Sequence, residues 1–361
     1  MKKLSVKSRR VIWIAVFVLM NAVVLFFTAE ADFSKDTPSI KGTIAPGNAL
    51  FLIGAVLCLF LVLACETIKY VLMMKRLGEK VSPQTAFETA ALGKYYDCIT
   101  PSGAGGQPFQ IWFVHSRGYS SGASSSMPLA GFVTMQYGFV IIALIVFIFN
   151  NDAIDSVPIK LAAYAGTVMY SLVPTMVVIS ALAPGASAAI VRFFVRLGAK
   201  LRIVKDPDAK IEKTKTALER YSVSLKHIAK SRLLLAELLV FSVLYQVALC
   251  SIPYFVVRTF GGDPGFIKSL CMSVFVYASI TIVPTPGNSG AAEGSFYLLF
   301  SRLDTSGLFW AMLVWRFLCY YSFILIGLII YAVIAVGKFR NRAGRNAANG
   351  SGPGSIEYEE E

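Results

Sequence analysis

Ile-Thr-Pro-Ser-Gly-Ala-Gly-Gly-Gln-Pro-Phe at residues 99–109 and Val-Pro-Thr-Pro-Gly-Asn-Ser-Gly-Ala-Ala-Glu-Gly-Ser-Phe at residues 283–296 carry one signature twice. Each copy holds Thr-Pro, passes through Ser-Gly-Ala and ends at a Phe. The second copy has two extra residues, Gly287 and Asn288. Pro and Gly cannot continue a helix cheaply. Both copies lie in apolar sequence, where a broken helix survives only if protein or a water-filled cavity satisfies the freed backbone. Two breaks in corresponding positions of two halves point to a transporter-like binding site.

The surrounding composition sets the class. The 361 residues are 56% hydrophobic and 15% charged, the profile of a polytopic membrane protein. Apolar stretches at 11–29, 48–72, 125–149, 160–183, 233–257 and 306–336 each approach or exceed the ~20 residues a bilayer needs. No cleavable signal peptide is expected, because the first run is too long for one and lacks a small-residue cleavage site.

The formal charge is +13, and its placement argues against nucleic acid as a partner. Basic residues cluster at Lys2, Lys3, Lys7, Arg9 and Arg10, at Lys75, Arg76 and Lys80, through 190–232, and from Lys338 to Arg345. Segments 30–47, 150–160 and 258–268 are poor in them. This positive-inside pattern predicts cytoplasmic N- and C-termini in a cell membrane, with the basic surface facing anionic lipid. The six cysteines lack Cys-x-x-Cys spacing and there are two histidines, so no metal, cofactor or Ser-His-Asp chemistry is expected.

The charge map also fixes how the breaks are threaded. Residues near 80 and near 120 should both be cytoplasmic, so 84–118 enters and leaves on one side. Segment 268–304 should do the same from the opposite face, its second arm being too short and polar to cross. The expectation is an all-α integral membrane protein of about six full spans plus two re-entrant hairpins in an inverted-topology repeat. The transmembrane domain would cover 11–340 after a basic N-terminus at 1–10. Its repeat units are 48–149 and 233–336, joined by a cytoplasmic amphipathic linker at 190–232. Residues 341–361 would form a disordered tail.

The helices that resume after each break should present backbone N–H groups to an anion, and a lipid phosphate is the natural one. The candidate substrate-binding residues are therefore Thr100, Pro101, Ser102, Gly103, Gly105, Gly106, Gln107 and the nearby Arg117 in the first half. In the second half they are Pro286, Gly287, Asn288, Ser289, Gly290 and Glu293. An acid at bilayer depth usually marks a substrate, proton or ion pathway. Glu293 also stands three residues after Gly290, where it can cap its own half-helix, and the two roles are compatible. Candidate coupling or ion-pair residues are Glu66 and Lys69 at i, i+3, together with Asp97, Glu237 and Arg316.

At Pro101-Ser-Gly-Ala-Gly-Gly-Gln107, Arg117-Gly118 and Pro284-Thr-Pro-Gly-Asn-Ser-Gly-Ala-Ala-Glu293 the chain resembles the lysylphosphatidylglycerol synthase transmembrane family, a flippase-like module. With the order of spans, the resemblance covers about residues 10–340. It implies a transporter of an anionic, aminoacylated or polyprenyl-phosphate-linked membrane lipid. A separate cytoplasmic lipid-modifying enzyme is a further implied partner. Multidomain members fuse the module to a domain that transfers lysine from tRNA. No stretch here reads as that domain, so lysyl transfer by this chain is not expected. The competing readings are the membrane half of a lipid-modifying transferase system and a non-transporting envelope scaffold.

Overall fold

The computed structural model describes residues 48–349 except 101–102, 184–188, 194, 197–198, 200–205, 213, 217–225, 227, 229–230, 282, 284, 286 and 302–306. The first expected span, the basic N-terminus, residues 350–361, much of the linker, and Pro101, Ser102, Pro284 and Pro286 lie outside the described residues.

The described chain is helical, without strands. Its helices are α1 (Ala49–Arg76), α2 (Pro83–Ile99), α3 (Gly106–Ser116), α4 (Ser121–Phe149), α5 (Val157–Leu182), α6 (Arg232–Thr259), α7 (Phe266–Ile280), α8 (Ala291–Phe300), α9 (Leu308–Arg316) and α10 (Ser322–Asn349). Among the described residues five segments are long and apolar enough to cross a membrane: Ala49–Arg76, Ser121–Phe149, Val157–Ile179, Arg232–Thr259 and Leu308–Val336. They match the five expected spans that fall inside the described residues. The protein is thus an all-α polytopic membrane protein. The last span is interrupted by a π-helical turn at Phe317–Tyr321, which separates α9 from α10. α10 continues to Asn349, into the stretch expected to be a tail.

Local chemistry explains where the elements begin and end. α2 starts at Pro83, with the Ser82 hydroxyl accepting from Thr85 N at 3.2 Å. It stops at Ile99 because Thr100 precedes Pro101 and takes the extended backbone (φ −113°, ψ 147°) that such a position prefers. α7 follows Gly265, whose φ of 69° suits glycine.

The two halves use their elements alike. α1 packs along α6, α2 against α1, and α7 against α6. Each break folds its helices into a hairpin, α2 on α3 and α7 on α8. Small residues permit the closest crossings: a Cβ on Gly138 of α4 would lie 2.8 Å from Ser242 Cβ and 2.9 Å from its backbone carbon on α6. The largest buried cluster joins Val62, Leu92, Phe139, Val256, Phe275, Phe296 and Trp315, so both hairpins are built into one core. Leu57, Phe60, Ile148, Val240, Leu298, Ile329 and Val333 point outward, as lipid-facing residues do.

Candidate functional site

The first break is closed by side chains that fold back across it. Asp97, in the last turns of α2, accepts the Gly106 N–H at 3.0 Å and so caps α3. The Thr100 hydroxyl donates to the Tyr96 carbonyl (2.6 Å) and accepts the Gly105 N–H (2.9 Å), while Gly103 N donates to Thr100 O (3.3 Å). Gly106 is needed because a Cβ there would meet Asp97 Oδ1 at 2.3 Å and the Gly93 carbonyl at 2.8 Å.

The second break is held by Arg316 of α9. Its Nε donates to Glu293 Oε1 at 2.6 Å, and Nη1 and Nη2 each reach the Gly287 carbonyl at 3.2 Å. Nη2 also donates to the Ser289 hydroxyl at 3.0 Å. Glu293 Oε2 accepts the Gly290 N–H at 2.7 Å, closing the capping arrangement. Glu293 therefore caps α8 and neutralises a buried arginine at once. Both side chains are nearly inaccessible, at 4% and 5% exposure, so neither charge could stand there alone.

These contacts correct one expectation. The N–H groups of Gly103, Gly105, Gly106 and Gly290 do not wait for an anion; each is donated inside the chain. A buried backbone donor left open would cost free energy whenever the ligand was absent, so acceptors are supplied locally. What faces the space between the breaks is side-chain chemistry.

That space is a cavity of about 240 Å³, bordered by Asp97 and Gly103 from the first break, Thr281, Gly287 and Asn288 from the second, and Tyr170, Arg316 and Tyr320. Tyr320 ties the two breaks together. Its ring lies so close to Gly287 that a Cβ there would be 2.0 Å away, and its hydroxyl donates to the Cys98 carbonyl at 3.2 Å. The Arg316 guanidinium lies 4.7 Å over the same ring. A second cavity of about 220 Å³ shares Asp97, Gly103 and Tyr170 with the first, and is lined also by Glu66, Lys94, Gln107, Gln110 and Gln136. The chain thus holds two adjoining spaces, the first lined mostly by apolar surface and the second mostly by polar surface.

The remaining candidates divide. Glu66 and Lys69 form the expected buried pair at 3.2 Å, and Lys69 also donates to the Gly131 carbonyl at 3.2 Å. Glu237 pairs with Arg76 at 3.6 Å, while Arg316 takes a hairpin residue as partner. Arg117 binds Glu88, outside both cavities. Lys94, Tyr170, Gln136 and Tyr320 line the cavities and were not among the residues the sequence singled out. Only Lys94 carried a signal: it stands three residues before Asp97, on the same helix face.

The family comparison agrees with this architecture. The chain matches the family described as "Lysylphosphatidylglycerol synthase TM region" over residues 12–327. It is also similar to a UPF0104 membrane protein of Archaeoglobus fulgidus, 25% identical over 265 residues that make up 72% of this chain and 78% of that one. Both breaks, both cavities and all but the end of the last span fall within the matched residues. This multi-pass membrane protein belongs to the lysylphosphatidylglycerol synthase TM region family.

Proposed function

We propose that the chain moves a membrane lipid with an anionic, aminoacylated or polyprenyl-phosphate-linked headgroup between leaflets, carrying the headgroup through the cavity between the two breaks while the acyl or prenyl tail stays in the bilayer. One observation carries the reading: Gly103 of the first break and Gly287 and Asn288 of the second border a single cavity that Asp97 and Arg316 also reach. In a bilayer a headgroup needs such a path, because polar groups cross hydrocarbon only at large cost. The proposal includes a topology in which the α2–α3 and α7–α8 hairpins re-enter from opposite faces of a cell membrane and the termini are cytoplasmic. The alternating approach of two related halves to one central site would then expose it to each leaflet in turn.

The reading is tested in proteoliposomes that contain fluorescent phosphatidylglycerol, lysyl-phosphatidylglycerol or a polyprenyl phosphate, with a membrane-impermeant quencher added outside. Protein should increase the fraction of at least one lipid that is quenched. Thr281→Trp, which fills the cavity from the end of α7, should remove that effect. No acceleration with any of the three lipids, or equal rates for wild type and Thr281→Trp, would overturn the proposal.

A further inference from the structure

Asp97 is the acid that borders both cavities, and no lysine or arginine among the described residues forms an ion pair with it. Its Oδ1 accepts the Gly106 N–H at 3.0 Å, which leaves Oδ2 outside that cap. The neighbouring charges are committed. Glu66 holds Lys69 at 3.2 Å, and Glu293 holds Arg316 at 2.6 Å. Lys94 hydrogen-bonds Tyr245 and faces the charges of Asp97 and Glu66. With Asp97 ionised the site is balanced, Glu66 and Asp97 against Lys69 and Lys94, and Glu293 against Arg316.

An anionic headgroup entering a balanced site adds a charge that the walls do not match, which is costly at bilayer depth. A proton is the compensation the walls can accept. Neutralising Glu66 or Glu293 would strand a buried cation, Lys69 or Arg316. Neutralising Asp97 breaks no ion pair and leaves its Oδ1 on the Gly106 N–H. A separate feature supplies the route. The second cavity, of about 220 Å³, is lined mostly by polar surface, and in its wall Gln136 Oε1 is a buried acceptor with no donor in the chain. Such an acceptor calls for a donor on whatever fills the space, and a polar space of this size suits water. Asp97 is partly exposed and stands where that space adjoins the first cavity.

We propose that Asp97 takes up a proton when an anionic headgroup occupies the first cavity, so that the lipid anion and the proton move together. The O–H bond forms at Oδ2 with a proton from water in the second cavity, and it breaks to return that proton to water when the headgroup leaves. The inference deepens the transport reading, on which it rests for the headgroup, and it selects the anionic members of that lipid class. The groups that face Asp97 are Glu66 and Tyr70 of α1, Lys94 and Cys98 of its own helix, Tyr170 of α5, Tyr245 of α6 and, across the first cavity, Arg316 of α9.

Purified protein in weakly buffered micelles with a pH indicator receives phosphatidylglycerol or a polyprenyl phosphate, each corrected for protein-free micelles, with phosphatidylcholine as control. At least one anionic lipid should draw protons from solution, and its affinity should weaken as pH rises, by up to about tenfold per unit, because each anion must bring a proton. Asp97→Asn mimics the protonated side chain and keeps an acceptor for Gly106 N. It should bind the same lipid with no proton uptake and no such pH dependence, a result that a merely structural role would not give. Asp97→Ser, whose hydroxyl can also cap, serves where the amide does not fold. No uptake with either anionic lipid, or uptake undiminished in the Asp97 variants, would overturn the inference. Proton uptake without lipid movement in the proteoliposome assay would sink the transport reading and leave the proton site standing. Lipid movement that is indifferent to a pH gradient and accompanied by no uptake would do the reverse.

Discussion

Removing both partners of the Glu293–Arg316 pair should cost less than the sum of removing each alone. Glu293→Gln takes away the anion facing Arg316 Nε at 2.6 Å and weakens the cap on Gly290 N at 2.7 Å. The guanidinium keeps neutral partners in the Gly287 carbonyl and Ser289 hydroxyl but loses its counter-charge in a site 5% exposed. Breaking a buried pair from one side costs about 3–5 kcal/mol, chiefly for the charge left behind. Arg316→Met leaves Glu293 in the same position, held only by its cap, and should cost a similar amount. In the double variant no unpaired charge remains, so the total should fall short of the sum by about 1–3 kcal/mol. The assay is reversible denaturation in mixed micelles, followed by tryptophan fluorescence because Trp315 stacks on Phe296 of α8, with ring centroids 4.7 Å apart. Single variants within about 0.5 kcal/mol of wild type, or a double variant equal to the sum, would refute the assignment of Arg316 as the clamp on the second break.

Other consequences follow from the same geometry. Gly287→Ala should destabilise the protein by at least the 1–2 kcal/mol of a left-handed non-glycine residue, since φ is 59° and the new Cβ would collide with Tyr320. Tyr320→Ala should recover the steric part of that loss, and a melting series of the two single variants and the double checks it. Asp97→Asn keeps an acceptor for Gly106 N and should fold nearly as well as wild type, whereas Asp97→Ala should lose about 1 kcal/mol from the α3 cap; equal melting temperatures for the two would contradict the capping role. Gly138→Ala should cost about 1–3 kcal/mol by forcing α4 away from α6 at Ser242, and an unchanged midpoint would show that the crossing is looser than described.

The spans and the positions of the breaks were legible because hydropathy and Pro/Gly placement are local signals. Thr100 shows how far this reaches: the proline after it is enough to end α2. What the sequence could not disclose was how each break is closed. The paired glycines suggested open N–H groups, but Asp97 returns across nine residues to Gly106 and Glu293 to Gly290, and burial makes such acceptors necessary. Long-range pairing was equally hidden. From the sequence Glu237 and Arg316 could pair with one another or with a hairpin; Glu237 meets Arg76 on α1, and Arg316 meets Glu293 of the second hairpin. Lys94 was visible only as a cation one helical turn before Asp97; that it lies over the ring of Tyr245 beside a cavity shared with Glu66 and Asp97 depends on the placement of α1, α4 and α6 around it.

The most direct test of the central claim, that two hairpins dip from opposite faces toward one cavity, is sided cysteine labelling. The six native cysteines are replaced by alanine, and Val81, Ser121, Lys268 and Ser301, all exposed, are changed to Cys one at a time. In right-side-out vesicles an impermeant maleimide should reach positions 268 and 301 and leave 81 and 121 unlabelled until the membrane is opened. Labelling of 81 and 121 from opposite sides, or of 268 and 301 from opposite sides, would make that hairpin a crossing segment and contradict the inverted repeat on which the proposed path depends.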